Sequence, residues 1–310
     1  MSKIPVIIDC DPGCDDTLAL MLANQIDMFD VLAVTTVAGN TTIDYTFRNG
    51  RNVMDYIGSE VPVYKGAEKP LLRELVTAAH IHGEDGMGGI VLPDSQKPAE
   101  TEAAWDAIHR LALEHKGELV LIAVGPMTNV AITLSKYADM KDLIKHIVIM
   151  GGAAIGGNTT PCAEFNIFED PEAAEMMFTS GIPVYMCGLD VTMESYLTPD
   201  EVAQLAALDS KEAKLFHGVV QKSLAFYTEL LHRPGVAQHD PCAVIFAAYP
   251  ELFKGEWCGL HVETKGKITA GKTVTDLYSD KQFDEKNAFV VTEVDREAFV
   301  KKVFELMSKY

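Results

Sequence analysis

Short runs of apolar residues recur through the first two hundred positions of this chain, and each is followed by an amphipathic stretch. PVIID (5–9) precedes a segment with helical spacing from about Asp15 to Asn24, and DVLAVTTVAG (30–39) precedes another near Asp44–Ile57. ELVLIAVG (118–125) leads into MTNVAITLSKY, HIVIMGG (146–152) into DPEAAEMMFTS, and IPVYMCGLD (182–190) into TPDEVAQLAAL. Strands that alternate with helices in this way pair in parallel, and the crossover helices cover both faces of the sheet. The pattern predicts an α/β fold, one domain over residues 1–310. Past about residue 200 it turns more helical, and then CGLHVETKGKITAGKTVTDLY (258–278) reads as strands and a turn of the same domain. No Pro/Ser-rich linker, low-complexity tract or internal repeat divides the chain. A hydrophobic content of 48% supplies the large core such a fold requires.

In a Rossmann-like, mostly parallel sheet, ligands bind beyond the carboxyl ends of the strands. Chemically useful residues sit where strands should end: Asp9–Asp16, Asn40 after TVAG, VGPMTN (124–129), and the stretch after IMGG. They are expected to meet along one rim. The most unusual is DCDPGCDD (9–16), with four aspartates, Asp9, Asp11, Asp15 and Asp16, at the end of a buried strand. Carboxylates this close raise one another's pKa and need relief. The positive end of a helix offers some; a hard divalent cation, bound through oxygens, offers more. A helix cap uses one aspartate, so capping alone does not account for four. The glycine-rich HGEDGMGG (82–89) is expected to form a mobile loop.

Several function classes are disfavoured. The formal charge is −19 and the pI about 4.8, which argues against binding a polyanion. Residues 1–9 show no apolar signal-peptide core, and no apolar run reaches the roughly 18 residues that span a bilayer, so a cytoplasmic protein is expected. The six cysteines form no Cys-x-x-Cys pair and read as buried thiols. His80 and His82 make a His-x-His, but no thiol or further histidine joins them at zinc spacing. There is no Walker-type phosphate loop, and GGAAIGG (151–157) lacks dinucleotide-binding spacing.

Two enzyme classes carry aspartates after a first strand. Haloacid-dehalogenase-like phosphatases use Asp-x-Asp-Gly-Thr/Val, whereas here Pro12 follows the second aspartate. The alternative Asp-x-Asp-x-Gly-x-Asp-Asp is matched in full, and the chain resembles the inosine-uridine-preferring nucleoside hydrolases. TTVAGN (35–40), VGPMTN (124–129), GGNTTPCAEFNIFEDPEAA (156–174) and HDPCAV (239–244) are similar to that family's later motifs, in the same order.

The resemblance implies hydrolysis of the N-glycosidic bond of a ribonucleoside to free base and ribose, through an oxocarbenium-like transition state. It implies calcium held by Asp11, Asp16 and Asp240 with the Val124 carbonyl, and Asp11 as the base toward water. It implies ribose contacts from Asp15, Asn40, Asn158, Glu164, Asn166 and Asp240, and a homodimer or homotetramer. For the departing base it points to His239, with His82 as a second candidate. Phe165 and Tyr227 are candidates to pack on the base, with core aromatics an equal alternative. Glu164 and Asn166 flank Phe165 with period two, which predicts a shared face on an extended segment. Simpler roles stand beside some of these: Asp240 as a helix N-cap before Pro241, Asn158 as a turn residue, Asp9 as support for a neighbouring ligand or backbone group. A phosphatase of the dehalogenase type, or a non-catalytic nucleoside or ribose binder, is the competing function. Base preference depends on loop residues that motif spacing does not fix.

Overall fold

The computed structural model describes residues 3–277 and 282–310. Its centre is an eight-stranded sheet: β1 (Ile4–Cys10), β2 (Phe29–Thr36), β3 (Val63–Lys65), β4 (Leu119–Ala123), β5 (Ile144–Met150), β6 (Val184–Cys187), β7 (Phe253–Cys258) and β8 (Ala288–Val294). The spatial order is β3-β2-β1-β4-β5-β6-β8-β7. Every adjacent pair is parallel except β8 with β7, which closes one edge antiparallel. The order reverses between β1 and β4. Two crossovers leave that point in opposite directions, which opens a crevice at the strand ends.

The apolar runs become strands because both faces of the sheet are covered. Val6 and Ile8 belong to one core with Leu18, Leu22, Val34, Ile122, Phe216 and Phe299; Ile7, between them, belongs to the other with Ala33, Ile108, Leu121, Ile149 and Phe178. The period of two sends successive residues to opposite layers, and each layer holds helices. The helix α1 (Cys14–Gln25) is buried along nearly its whole length. It packs against two further helices, α4 (Lys211–Ala225) and α5 (His239–Ala248), as well as the C-terminal Arg296–Met307. That is why its sequence carries so little amphipathic contrast.

The expected helices appear within a residue or two of their predicted bounds, as Cys14–Gln25, Ile43–Tyr56, Thr128–Lys136, Pro171–Phe178 and Pro199–Ala206. In 258–277 the strands are β7's last residue and an antiparallel pair, Leu260–Val262 with Thr273–Thr275; Tyr278, the end of that predicted segment, lies outside the described residues. HGEDGMGG follows a single helical turn, Ala79–His82, and takes positive φ at Gly83, Gly86, Gly88 and Gly89. It is tied down by Thr41 Oγ1 to Glu84 O, Asn49 Nδ2 to Asp85 O and Cys14 Sγ to Gly86 O. Among the described residues no disulfide joins the cysteines; Cys10, Cys14, Cys187, Cys242 and Cys258 are buried, and the expectation of buried thiols is corrected at Cys162, which is half-buried. Among the described residues, no helix is long and apolar enough to cross a membrane.

Candidate active site

The crevice at the β1/β4 switch point is a cavity of about 580 Å³, in the size range of small-molecule sites. β1 ends at Cys10, and the chain turns through Asp11, Pro12 and Gly13 into α1. Asp16, in the first turn of α1, folds back: its carboxylate accepts from Gly13 N–H at 2.9 Å and Asp11 N–H at 3.1 Å. The residue that caps the turn by its position is Gly13, so none of the four aspartates is the N-cap. Asn40, after β2, locks the arrangement. Its backbone N–H donates to Asp11 Oδ2 at 2.7 Å, and its amide donates to Asp16 Oδ2 and Asp11 O, each at 3.1 Å. Gly39 is required beside it, because a Cβ there would stand 2.3 Å from Asp11 Oδ2.

Asp240 arrives from the other end of the chain, at the start of α5 (His239–Ala248). The helix begins at His239 with Gln238 as its cap, so Asp240 is a first-turn residue; the reading of it as an N-cap before a leading proline is corrected. The first turn of a helix is an end where negative charge is favoured. One carboxylate oxygen each from Asp15, Asp16 and Asp240 lies within 4.8 Å of the others. Asp11 lines the same cavity beside them, with Oδ2 drawn to the Asn40 amide. Burial, then the neighbouring carboxylates, raises Asp11 and Asp240 well above the usual carboxylate range, and burial followed by Asp15 pushes Asp16 up to about 7. Asp15 Oδ1 is buried with no hydrogen-bond partner. A group of buried oxygens, mutually repelling and with one orphaned, is suited to a hard cation.

The Val124 carbonyl, just past β4, lines the cavity and accepts from Asn166 Nδ2 at 2.7 Å. The same nitrogen donates to Met150 O at 3.1 Å, so Asn166 clamps the ends of β4 and β5. The segment around it is not extended. Glu164 caps a short helix, α2 (Phe165–Glu169), accepting from Ile167 N–H at 3.2 Å, and it also takes Gly152 N–H at 2.9 Å. The period-two argument for a shared face is therefore corrected. A capping carboxylate starts the helix, and Glu164 and Asn166 line one cavity through that turn. Burial pushes Glu164 up to about 7. Asn158 Oδ1 accepts from Phe165 N–H at 3.0 Å, a turn-stabilising bond at the cavity's edge.

The histidines also meet here. His82 Nδ1 accepts from Cys14 N–H at 3.2 Å and lies 3.9 Å from Asp15. An accepting Nδ1 places the ring proton on Nε2, and burial lowers the His82 pKa, which favours the neutral ring. Burial likewise lowers His239. Its ring is held on both sides, Nδ1 at 2.8 Å from Thr192 Oγ1 and Nε2 at 2.6 Å from the Tyr227 hydroxyl. Tyr227 both lines the cavity and packs against the core. It belongs to a π-helical turn, Phe226–Leu230, that ends the helix Lys211–Ala225. Phe165, Phe226, Ile81, Met193 and Leu231 add apolar surface to the same cavity.

Asp9 stands behind the cluster. Its Oδ1 accepts from Thr35 Oγ1 at 2.5 Å and Asn129 Nδ2 at 2.7 Å, its Oδ2 is buried without a partner, and burial pushes its carboxyl up to about 7. Sequence reasoning missed Gly39, Asn129, Thr192 and most of the apolar lining. Asn129 and Gly39 lie within motifs already singled out; Thr192 carries no local signal.

Known proteins resemble this chain along nearly its whole length. Residues 6–301 match the family model described as inosine-uridine preferring nucleoside hydrolase. The chain is 42% identical to the pyrimidine-specific ribonucleoside hydrolase RihA of Shewanella woodyi, over 99% of this chain and 98% of that protein. It is 38% identical to the non-specific ribonucleoside hydrolase RihC of Salmonella newport, over 99% and 98% of the two chains. Among solved structures it resembles the purine-preferring ribonucleoside hydrolase from Gardnerella vaginalis, with a TM-score of 0.92, 35% identity and 98% of each chain covered.

Proposed function

The chain belongs to the inosine-uridine preferring nucleoside hydrolase family, and on that premise we propose that it is a calcium-dependent enzyme that hydrolyses the N-glycosidic bond of ribonucleosides to free base and ribose. The observation that carries the reading is the meeting of Asp240 with Asp15 and Asp16, across more than two hundred residues, in the cavity that Asp11 also lines. Asp11, Asp16, Asp240 and the Val124 carbonyl are the proposed calcium ligands, and Asp15 belongs to the same oxygen group. The donors are all oxygen, and the neighbouring Asp15 Oδ1 is buried without a hydrogen-bond partner, which suits a hard ion. When bound, calcium neutralises the carboxylates and supplies a Lewis acid that lowers the pKa of a water.

The chain's own residues do the rest. Asp11 accepts a proton from the attacking water. Asp15, Asn40, Asn158, Glu164, Asn166 and Asp240 are the proposed ribose contacts. The negative charge of the carboxylates among them favours the developing cationic sugar over the neutral ground state, the difference that accelerates the step. Opposite reactivity is needed at the base. There the neutral His82 and the His239–Tyr227 pair offer hydrogen bonds, with Phe165 and Tyr227 as packing surface. A pyrimidine or inosine-uridine type of preference is proposed, with a role in nucleoside salvage in the cytoplasm and a homodimer or homotetramer as the working form.

Steady-state rates on inosine, adenosine, uridine and cytidine, with and without a chelator, test the proposal. Ribose release that disappears with chelator and returns with calcium is expected, and Asp240→Ala should lower it by at least about a thousandfold. Phosphate release from a phosphomonoester, or nucleoside binding without turnover, would replace it with the phosphatase or the binder.

A further inference from the structure

The His239 ring is half-buried with a hydroxyl on each nitrogen, and a neutral imidazole has one donor and one acceptor. Two arrangements are therefore open. Either Thr192 donates to Nδ1 and Nε2–H donates to Tyr227, or Nδ1–H donates to Thr192 and the Tyr227 hydroxyl donates to Nε2. Only the first leaves the Tyr227 proton available to the cavity.

Thr192 decides between them. It is fully buried, in the short helix α3 (Leu189–Thr192), and it lies 47 residues from His239 in sequence. A helical threonine hydroxyl ordinarily donates to the carbonyl four residues back. Here that carbonyl, Gly188 O, already accepts two backbone N–H groups, Val191 at 3.1 Å and Thr192 itself at 3.0 Å. With that carbonyl taken, His239 Nδ1 is the acceptor left within reach of the hydroxyl, which favours donation to it. We propose that Thr192 is a positioning residue: by donating to His239 Nδ1 it holds the ring in the Nε2–H tautomer and turns the Tyr227 hydroxyl outward as a donor to the departing base. The inference rests on the assignment of His239 and Tyr227 to that base. Among the described residues the Thr192 hydroxyl hydrogen-bonds to His239 and to none of the ribose contacts or clustered carboxylates, so its effect is expected to fall on the leaving group.

The test compares nucleosides with p-nitrophenyl riboside, whose leaving group departs as a stable anion and gains little from a hydrogen bond. Thr192→Val removes the donor at nearly constant volume, and Thr192→Ser keeps it. For Thr192→Val, kcat on inosine and uridine is expected to fall about ten- to a hundredfold, with KM within about twofold and aryl-riboside turnover within about threefold; Thr192→Ser restores the nucleoside rate. Equal losses on both substrate types, or a nucleoside kcat within about twofold of the unchanged enzyme, overturn the proposal. His239→Ala separates the two layers of the argument. If it slows nucleosides and Thr192→Val does not, the role of Thr192 alone falls; if neither slows them, the assignment of His239 falls too.

Discussion

Asp9→Asn isolates what a buried carboxylate costs this fold. Asp9 is fully buried behind the aspartate cluster; Oδ1 takes both available donors and Oδ2 has none. Burial raises its pKa from the usual 3.8 to about 7, more than the bonds from Thr35 and Asn129 lower it. The folded protein thus keeps a proton that the unfolded chain has released. Asp9's contribution to stability is fully present below pH 3.8 and is lost as the pH rises through about 7. A difference of roughly three pH units is worth about 4 kcal/mol. Asparagine keeps one oxygen for Thr35 and Asn129 and has no ionisation, so the variant lacks this loss. Urea unfolding in chelator, at fixed protein concentration from pH 4.5 to 8.5, measures it. The stability of the variant relative to the unchanged protein is expected to improve from pH 4.5 to about 7 and then level off, by about 3–4 kcal/mol in all. The other buried carboxylates titrate in both proteins and cancel in the difference. A difference constant within about 1 kcal/mol, or one moving the other way, would refute the reasoning.

The remaining predictions concern the cavity. Gly39→Ala places a methyl group against Asp11 and Pro126; nucleoside turnover should fall at least about a hundredfold while the circular dichroism spectrum stays native. Asn166→Ala strips a donor from the Val124 and Met150 carbonyls; a loss of about 1–3 kcal/mol in urea unfolding and a raised KM for inosine are expected. The carboxylates of Asp11, Asp16 and Asp240 hold protons that an ion must displace, since all three are raised. Calcium affinity, read by thermal shift, should therefore strengthen between pH 5.5 and 8, and a flat profile would count against this cluster as the site.

The parallel sheet was legible because its strands are buried on both faces and read as unbroken apolar runs. The helices were legible because their caps and polar faces interrupt those runs. Ala104–Glu114 and the pair β8 with Arg296–Met307 went unread, although each has apolar spacing, because no motif drew attention to them. The site divides the same way. Asp11, Asp15, Asp16 and Asp240 stand out because concentrated charge at a strand end conflicts with burial and demands a reason. Glu164 misled, since period two around one phenylalanine cannot distinguish an extended segment from a capped helical turn; Pro171, with Asp170 as cap, marks only the following helix. Thr192 was invisible: nothing in a lone threonine announces a bond to a histidine 47 residues away.

The carboxylate group draws its members from residues 11–16 and residue 240, joined only where α1 packs on α5. A chain emerging from the ribosome therefore carries three of its acids for most of its synthesis without the fourth. Any fragment stopping short of α5 lacks a site altogether, however well its own strands pair. Turnover can then serve as an all-or-none report that the last third of the polypeptide has docked on the first.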